Sequence, residues 1–163
     1  MKESDVEILK ILEQDARISS MQIATMLDLP EEEVRAAIKR LETEKIIRRY
    51  KTVINWEKVE EDRVLALIEV RVTPQRDVGF DAIAERIYRF PEARTVYLLS
   101  GTYDLLVQVA GRSMKEVANF VSEKLAPLEG VQGTVTHFLL KRYKEDGDVL
   151  AEVEGVKRLP VTP

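Results

Sequence analysis

Apolar residues along this chain obey two different periods. Up to about Ile46 they recur every three or four residues, and from Val64 onward alternating runs and helical runs interleave. A single element type cannot satisfy both patterns. The changeover therefore predicts a small all-helical module joined to a separate α+β module, and 163 residues are enough for two small domains.

Cysteine is absent, and Met1 leads into the charged run Lys2-Glu3-Ser4-Asp5 rather than an apolar stretch. Nothing suggests secretion or disulfide stapling, and a cytoplasmic address is the default. The longest uncharged run, Gly130 to Leu140, falls far short of the roughly 20 apolar residues of a membrane span, so no membrane partner is expected. The net charge of -4 argues against a protein that wraps nucleic acid. Its distribution argues the other way. Between Arg35 and Lys51 seven cationic side chains face only Glu42 and Glu44, and phosphate responds to the local field rather than to the total. The same band also fits a solvated helix face crossed by ion pairs.

In the first module, Ile8, Leu9 and Leu12 mark one helical stripe within Asp5 to Gln14. Ser19 and Ser20 can cap a second helix carrying Ile23, Ala24 and Leu27. Pro30 suits the first position of a third, Glu31, Glu32 and Glu33 complement its dipole, and Val34, Ala37, Ile38 and Leu41 form its buried face. Three short helices with tight connections fit a helix-turn-helix, whose third helix would lie in the major groove of double-stranded DNA. Arg35, Lys39 and Arg40 on that helix, with Arg48, Arg49 and Lys51 behind it, are the candidate DNA contacts. A three-helix bundle that only packs against a partner would show the same apolar pattern.

Ile46 to Asn55 reads as a strand leaving the module, and Trp56 to Arg63 as a charged connector. Strands are then expected at Val64 to Val72, Thr95 to Leu99, Leu105 to Ala110 and Thr134 to Tyr143. Helices are expected around Phe80 to Ile87 and Met114 to Leu125. The order β-α-β-β-α-β is that of a ferredoxin-like sheet with both helices on one face. Leu65, Leu67, Leu106 and Phe138 predict that the other face is also apolar, and such a face wants a second copy of the chain. The boundaries that follow are 1–50 for the helical domain, 51–63 for a hinge strand and linker, 64–144 for the α+β domain and 145–163 for a tail without sustained period.

Specific stretches then carry a resemblance. Asp15-Ala16-Arg17-Ile18-Ser19, Ile38-Lys39-Arg40-Leu41-Glu42 with Ile47 behind it, and Leu98-Leu99-Ser100-Gly101-Thr102-Tyr103-Asp104 resemble, in this order and spacing, the Lrp/AsnC family of feast/famine transcriptional regulators from roughly Ser4 to Lys144. The resemblance implies a winged-helix-like DNA-binding domain, a hinge strand and a ferredoxin-like regulatory domain of the RAM type. It also implies homodimers that extend to tetramers or octamers, and a small amino acid as effector with no other cofactor. The candidate effector residues are Ser100, Gly101, Thr102, Tyr103 and Asp104, with Thr134 and Thr136 on the last strand. Backbone N–H groups in a turn can hold the carboxylate of an amino acid, and Asp104 can accept its ammonium. Gly and Asp are equally at home in an ordinary hairpin, and Thr134 and Thr136 in cross-strand pairs.

Two departures from the family pattern stand out. Lys45 occupies the position usually held by Gly after the third helix, so that helix is expected to stop without its easiest left-handed cap. Three carboxylates open the recognition helix, where they would repel phosphate unless turned away or used on cytosine. They keep open an amino-acid-sensing or co-assembling subunit that binds DNA weakly. Some relatives with this layout are sirohaem decarboxylases. Here His137 is the only histidine and no catalytic set, metal cluster or phosphate-binding loop is present, so no enzyme is expected.

Overall fold

The computed structural model describes residues 1–59, 63–74 and 79–151. The chain packs as two units, Met1–Ile54 and Asn55–Pro163.

Three helices build the first unit: α1 (Glu3–Gln14), α2 (Ser20–Leu27) and α3 (Glu31–Thr43). Ile8, Ile23, Ala24 and Val34 form its buried centre, ringed by Ile11, Leu12, Ile18, Leu27, Leu29, Ala37 and Ile38. Ser19 caps α2 through a reciprocal pair of bonds: its hydroxyl accepts from the Gln22 N–H at 3.2 Å, and the Gln22 side chain accepts from the Ser19 N–H at 3.0 Å. Pro30 is the N-cap of α3 rather than its first helical residue. The end of α3 corrects the expectation drawn from Lys45. Lys45 itself enters the left-handed region at φ 61°, its N–H donates to the Glu42 carbonyl, and Ile46 N–H reaches back to Leu41 at 3.0 Å. The glycine-type stop is made by a lysine, at a backbone cost of about 1 kcal/mol.

The predicted strand from Ile46 to Asn55 is not formed, and these residues join no sheet. β-branched residues favour extended backbone, but a strand exists only where another strand pairs with it.

The second unit opens with a 3-10 turn at Trp56–Lys58 and continues as β1 (Val64–Val72), α4 (Asp81–Tyr88), β2 (Ala93–Leu98), β3 (Leu105–Gly111), α5 (Met114–Phe120) and β4 (Val131–Phe138). Its antiparallel sheet has the order β2-β3-β1-β4, the ferredoxin-like arrangement expected from the sequence. Ala66, Ile68, Val70 and Val72 of β1 and Leu105, Val107 and Val109 of β3 point into a core closed by Ile83 and Ile87 of α4 and by Val117 and Phe120 of α5. The chain after α5 widens into a π turn, Val121–Leu125, that buries Leu125. Gly130 then turns the chain at φ +94°, so close to the core that a Cβ would lie 2.6 Å from Ile83 Cδ1.

Three expectations need correction. β4 ends at Phe138 rather than Tyr143, its last rung being Leu139 N–H to the Leu65 carbonyl at 2.9 Å. Phe138 pairs with Ala66 and so lies on the helix-covered face, whereas Leu65, Leu67 and Leu106 do lie on the open one, among Glu69, Gln108 and His137. The tail is not featureless: β5 (Lys144–Glu145) and β6 (Asp148–Val149) form a hairpin turned by Asp146 at φ 47° and Gly147 at φ 95°. Asn55 Nδ2 donates to the Leu150 carbonyl at 3.0 Å, and Arg142 N–H to Glu57 Oε1 at 3.0 Å, so the hairpin is fastened to the start of the unit. The end of the tail, residues 152–163, lies outside the described residues.

Candidate nucleic-acid interface and effector loop

The cationic band of the first unit divides by what each side chain touches. Arg40 reaches back to α1, where its Nη2 donates to Oδ1 of Asp5 at 2.6 Å, and Asp5, at 1% exposure, is the buried charged residue of this unit. The Lys2 N–H donates to the other Asp5 oxygen at 2.7 Å. That backbone bond, and then Arg40, hold the Asp5 carboxyl below its ordinary range, while Asp5 raises the Arg40 guanidinium. Arg40, read from the sequence as a DNA contact, is thus engaged in joining α3 to α1.

Arg35 is engaged differently. Its Nη2 and Nε both donate to Oε1 of Glu31, one turn earlier, at 2.7 and 3.0 Å, and the Ser20 hydroxyl on α2 donates to the same oxygen at 3.0 Å. Arg35 chiefly, and Ser20 next, lower the Glu31 carboxyl, and Glu31 raises Arg35. Of the other two carboxylates at the start of α3, Glu33 lies 3.6 Å from Lys2 Nζ and Glu32 is exposed.

Lys39, Lys45, Arg48, Arg49 and Lys51 are exposed, and none has an ion-pair partner among the described residues. The segment that carries the last three is tied to α3, because the Tyr50 hydroxyl donates to Glu42 Oε1 at 2.8 Å. Partial burial and then Glu42 push the Tyr50 phenol up. The result is a set of free cations on and just after a recognition-type helix, which suits phosphate.

In the second unit Ser100–Asp104 joins β2 to β3. Asp104 Oδ2 accepts from the Val72 N–H at 2.8 Å, and Arg71 reaches the Thr102 carbonyl at 3.4 Å with its guanidinium 5.6 Å from the Tyr103 ring centre. The loop is fixed to the end of β1, yet the N–H groups of Ser100, Gly101, Thr102 and Tyr103 have no partner among the described residues. Gly101 lies outside the left-handed region with nothing within 4 Å of a would-be Cβ, so the hairpin itself does not demand glycine there. Thr134 and Thr136 pair with Val70 and Ile68, on the helix-covered side of β4. β1 separates them from β3, a distance of about 10 Å, so they do not join the loop in one cluster.

Sequence reasoning missed the Asp5–Arg40 and Glu31–Ser20 links. Nothing local marks a partner 35 residues away, although a lone Asp on an otherwise apolar helix face was a usable signal.

Comparison with known proteins agrees with both units. The profile of the AsnC-type helix-turn-helix domain matches residues 1–42, and that of the Lrp/AsnC ligand binding domain matches residues 65–149. The chain is 49% identical over 164 positions to the uncharacterized HTH-type transcriptional regulator YugG of Bacillus subtilis, covering 100% of this chain and 99% of that protein. It is 31% identical over 139 residues to the uncharacterized HTH-type transcriptional regulator PH0140 of Pyrococcus horikoshii, covering 85% of each. Among solved structures, the complex of the transcriptional regulator NMB0573 with L-Met, from Neisseria meningitidis, superposes with a TM-score of 0.69 at 26% identity, covering 89% of this chain and 93% of that one. With a helix-turn-helix unit and a ligand-binding unit both matched, the chain belongs to the Lrp/AsnC family of transcriptional regulators.

Proposed function

We propose that this regulator binds double-stranded DNA in the cytoplasm as a homodimer, without catalysis, and that a small amino acid gates its assembly or occupancy in the control of amino-acid metabolism. The observation that carries the reading is the group of five unpaired cations, Lys39, Lys45, Arg48, Arg49 and Lys51, on an otherwise acidic protein. Five phosphate contacts per protomer, ten per dimer, correspond to an affinity loss of about 10⁵-fold between 50 and 200 mM salt. Arg48→Ala or Lys51→Ala, each removing one contact from both protomers, should flatten that salt dependence by about two units of slope while leaving the dimer intact. A salt-independent affinity would exclude the phosphate contacts.

Dimerisation is supported by Leu65, Leu67 and Leu106 on the uncovered sheet face, where a two-fold related copy would bury them. Tetramers and octamers would be built from such dimers. The effector reading is supported by the unpaired N–H groups of Ser100–Tyr103, which suit a carboxylate, and by the relative solved with L-Met. Asp104 Oδ1 has no partner among the described residues and can accept an ammonium, while Oδ2 accepts from the Val72 N–H. Thr134 and Thr136 belong to this reading only if the ligand spans β1 or a second protomer completes the site. Calorimetry with each of the twenty amino acids, against wild type and Gly101→Val, tests it: heat with one amino acid, lost in the variant, is the expected result.

A second reading, an amino-acid-sensing subunit that co-assembles and binds DNA weakly, draws on the exposed Glu32 at the start of α3. Amino-acid heat with no duplex retained at low salt would select it.

A further inference from the structure

The Glu31–Arg35 pair leaves one edge of the guanidinium unused. Glu31 Oε1 takes the Nε and Nη2 donors at 3.0 and 2.7 Å, and Nε also lies 3.4 Å from the Ser20 hydroxyl oxygen; among the described residues Nη1 has no partner and Nη2 has no second one, so the outer edge keeps one N–H on each nitrogen. Exposure falls in sequence from Arg35 to its brace: the Arg35 side chain is 60% exposed and that of Glu31 29%. Glu31 is in turn held by the Ser20 hydroxyl of α2, at 3.0 Å. The chain of contacts runs from one helix, through a carboxylate, to an exposed guanidinium on the N-terminal half of α3. That half is the part of a recognition helix that approaches base edges.

We propose that Arg35 reads a guanine in the major groove and that Glu31, braced by Ser20, is the positioning residue that aims it. The inference rests on the DNA-binding reading above. Guanine alone presents two adjacent acceptors, O6 and N7, on its major-groove edge; adenine pairs an acceptor with a donor, thymine has one acceptor and a methyl group, and cytosine a donor. A fork of two parallel donors therefore selects guanine. A guanidinium already held by its inner edge loses less rotamer freedom when the outer edge binds.

Glu31 also makes an opposite contribution. Its carboxylate faces an anionic duplex, so removing it strengthens sequence-independent attraction while releasing the arginine. A positioning role thus predicts that discrimination and non-specific affinity move in opposite directions. If Glu31 only damps the charge of Arg35, its removal strengthens both.

The test uses the full chain. Preferred duplexes are selected from a random double-stranded library, and each guanine of the selected site is replaced in turn by 7-deazaguanine, which pairs normally but lacks N7. For the wild type one guanine per half-site should stand out, its replacement lowering affinity about tenfold to a hundredfold. In Arg35→Ala that sensitivity should vanish. Glu31→Gln should shrink it severalfold while binding to an unrelated duplex tightens, and Ser20→Ala should shrink it without that tightening. Equal 7-deazaguanine sensitivity in wild type and Arg35→Ala, or undiminished sensitivity in Glu31→Gln, overturns the proposal and leaves the DNA-binding reading standing. A wild-type chain that retains no duplex at low salt overturns both.

Discussion

The two units spend their polar groups in opposite ways. In the helical unit four residues form the buried centre, and a charged pair, Asp5 with Arg40, fastens the first helix to the third. In the α+β unit twelve buried apolar residues among those described form the core, and the polar loop that crosses its edge is anchored on backbone groups, as where Asp104 Oδ2 accepts from the Val72 N–H. A small core leaves orientation to be set by ion pairs, so part of the cationic band is committed inward and only the remainder is free for a partner. A large core settles orientation by packing, and its loop can leave N–H groups unused. The difference teaches that a charge band in sequence overstates the charge available at a surface most strongly where the core beneath it is small.

Truncating each core should give the largest effect and the sharpest contrast. Ile23→Ala and Ile68→Ala each empty a fully buried position and should each cost about 2–5 kcal/mol. Followed by circular dichroism in urea, Ile23→Ala should lower the midpoint for loss of helix in the first unit, and Ile68→Ala that for loss of the sheet. A common shift in both variants would show that the two units unfold as one. Next in size is Gly130→Ala, where a positive φ and the 2.6 Å approach to Ile83 act together; a loss of about 1–3 kcal/mol is expected in the second unit alone.

Acid should test the inward ion pair of the helical unit. Asp5 is held below its ordinary value of 3.8, so its contribution is fully present above that pH and is lost as pH falls through the lower folded value. Asp5→Asn should therefore be less stable than wild type at pH 7, with the gap closing below about pH 4. A gap that persists unchanged at pH 2 would assign the effect to packing instead. The smallest change is a gain: Lys45→Gly relieves the left-handed lysine and should stabilise the first unit by about 0.5–1 kcal/mol, a modest rise in its thermal midpoint.

Local rules made much of this fold legible. Ser19 and Gln22 announce the second helix three residues apart, and the alternation from Val64 to Val72 marks a strand whose even positions are buried. Non-local pairing was not legible. Residues 46–55 have strand composition but no strand beside them, and Phe138 was assigned to the wrong face because one residue of register moves every side chain across the sheet. The Asp146-Gly147 turn is of a type that sequence can show, but its flanking strands are only two residues each and leave no alternation to read. In the helical unit, Lys39, Arg48, Arg49 and Lys51 stand out in the sequence as cations and are exposed in the structure. The distribution of Arg35 and Arg40 between partners depended on contacts that only the folded helices create.

The fastening of Asn55 to Leu150 also fixes a load path. The chain joins the second unit and returns to nearly the same point, so a pull applied between the linker and the C-terminal hairpin falls first on that single hydrogen bond and on the Arg142–Glu57 bond beside it. The rungs of the four-stranded sheet lie behind these two bonds. Tension on the linker would therefore peel away the hairpin before it strains the sheet.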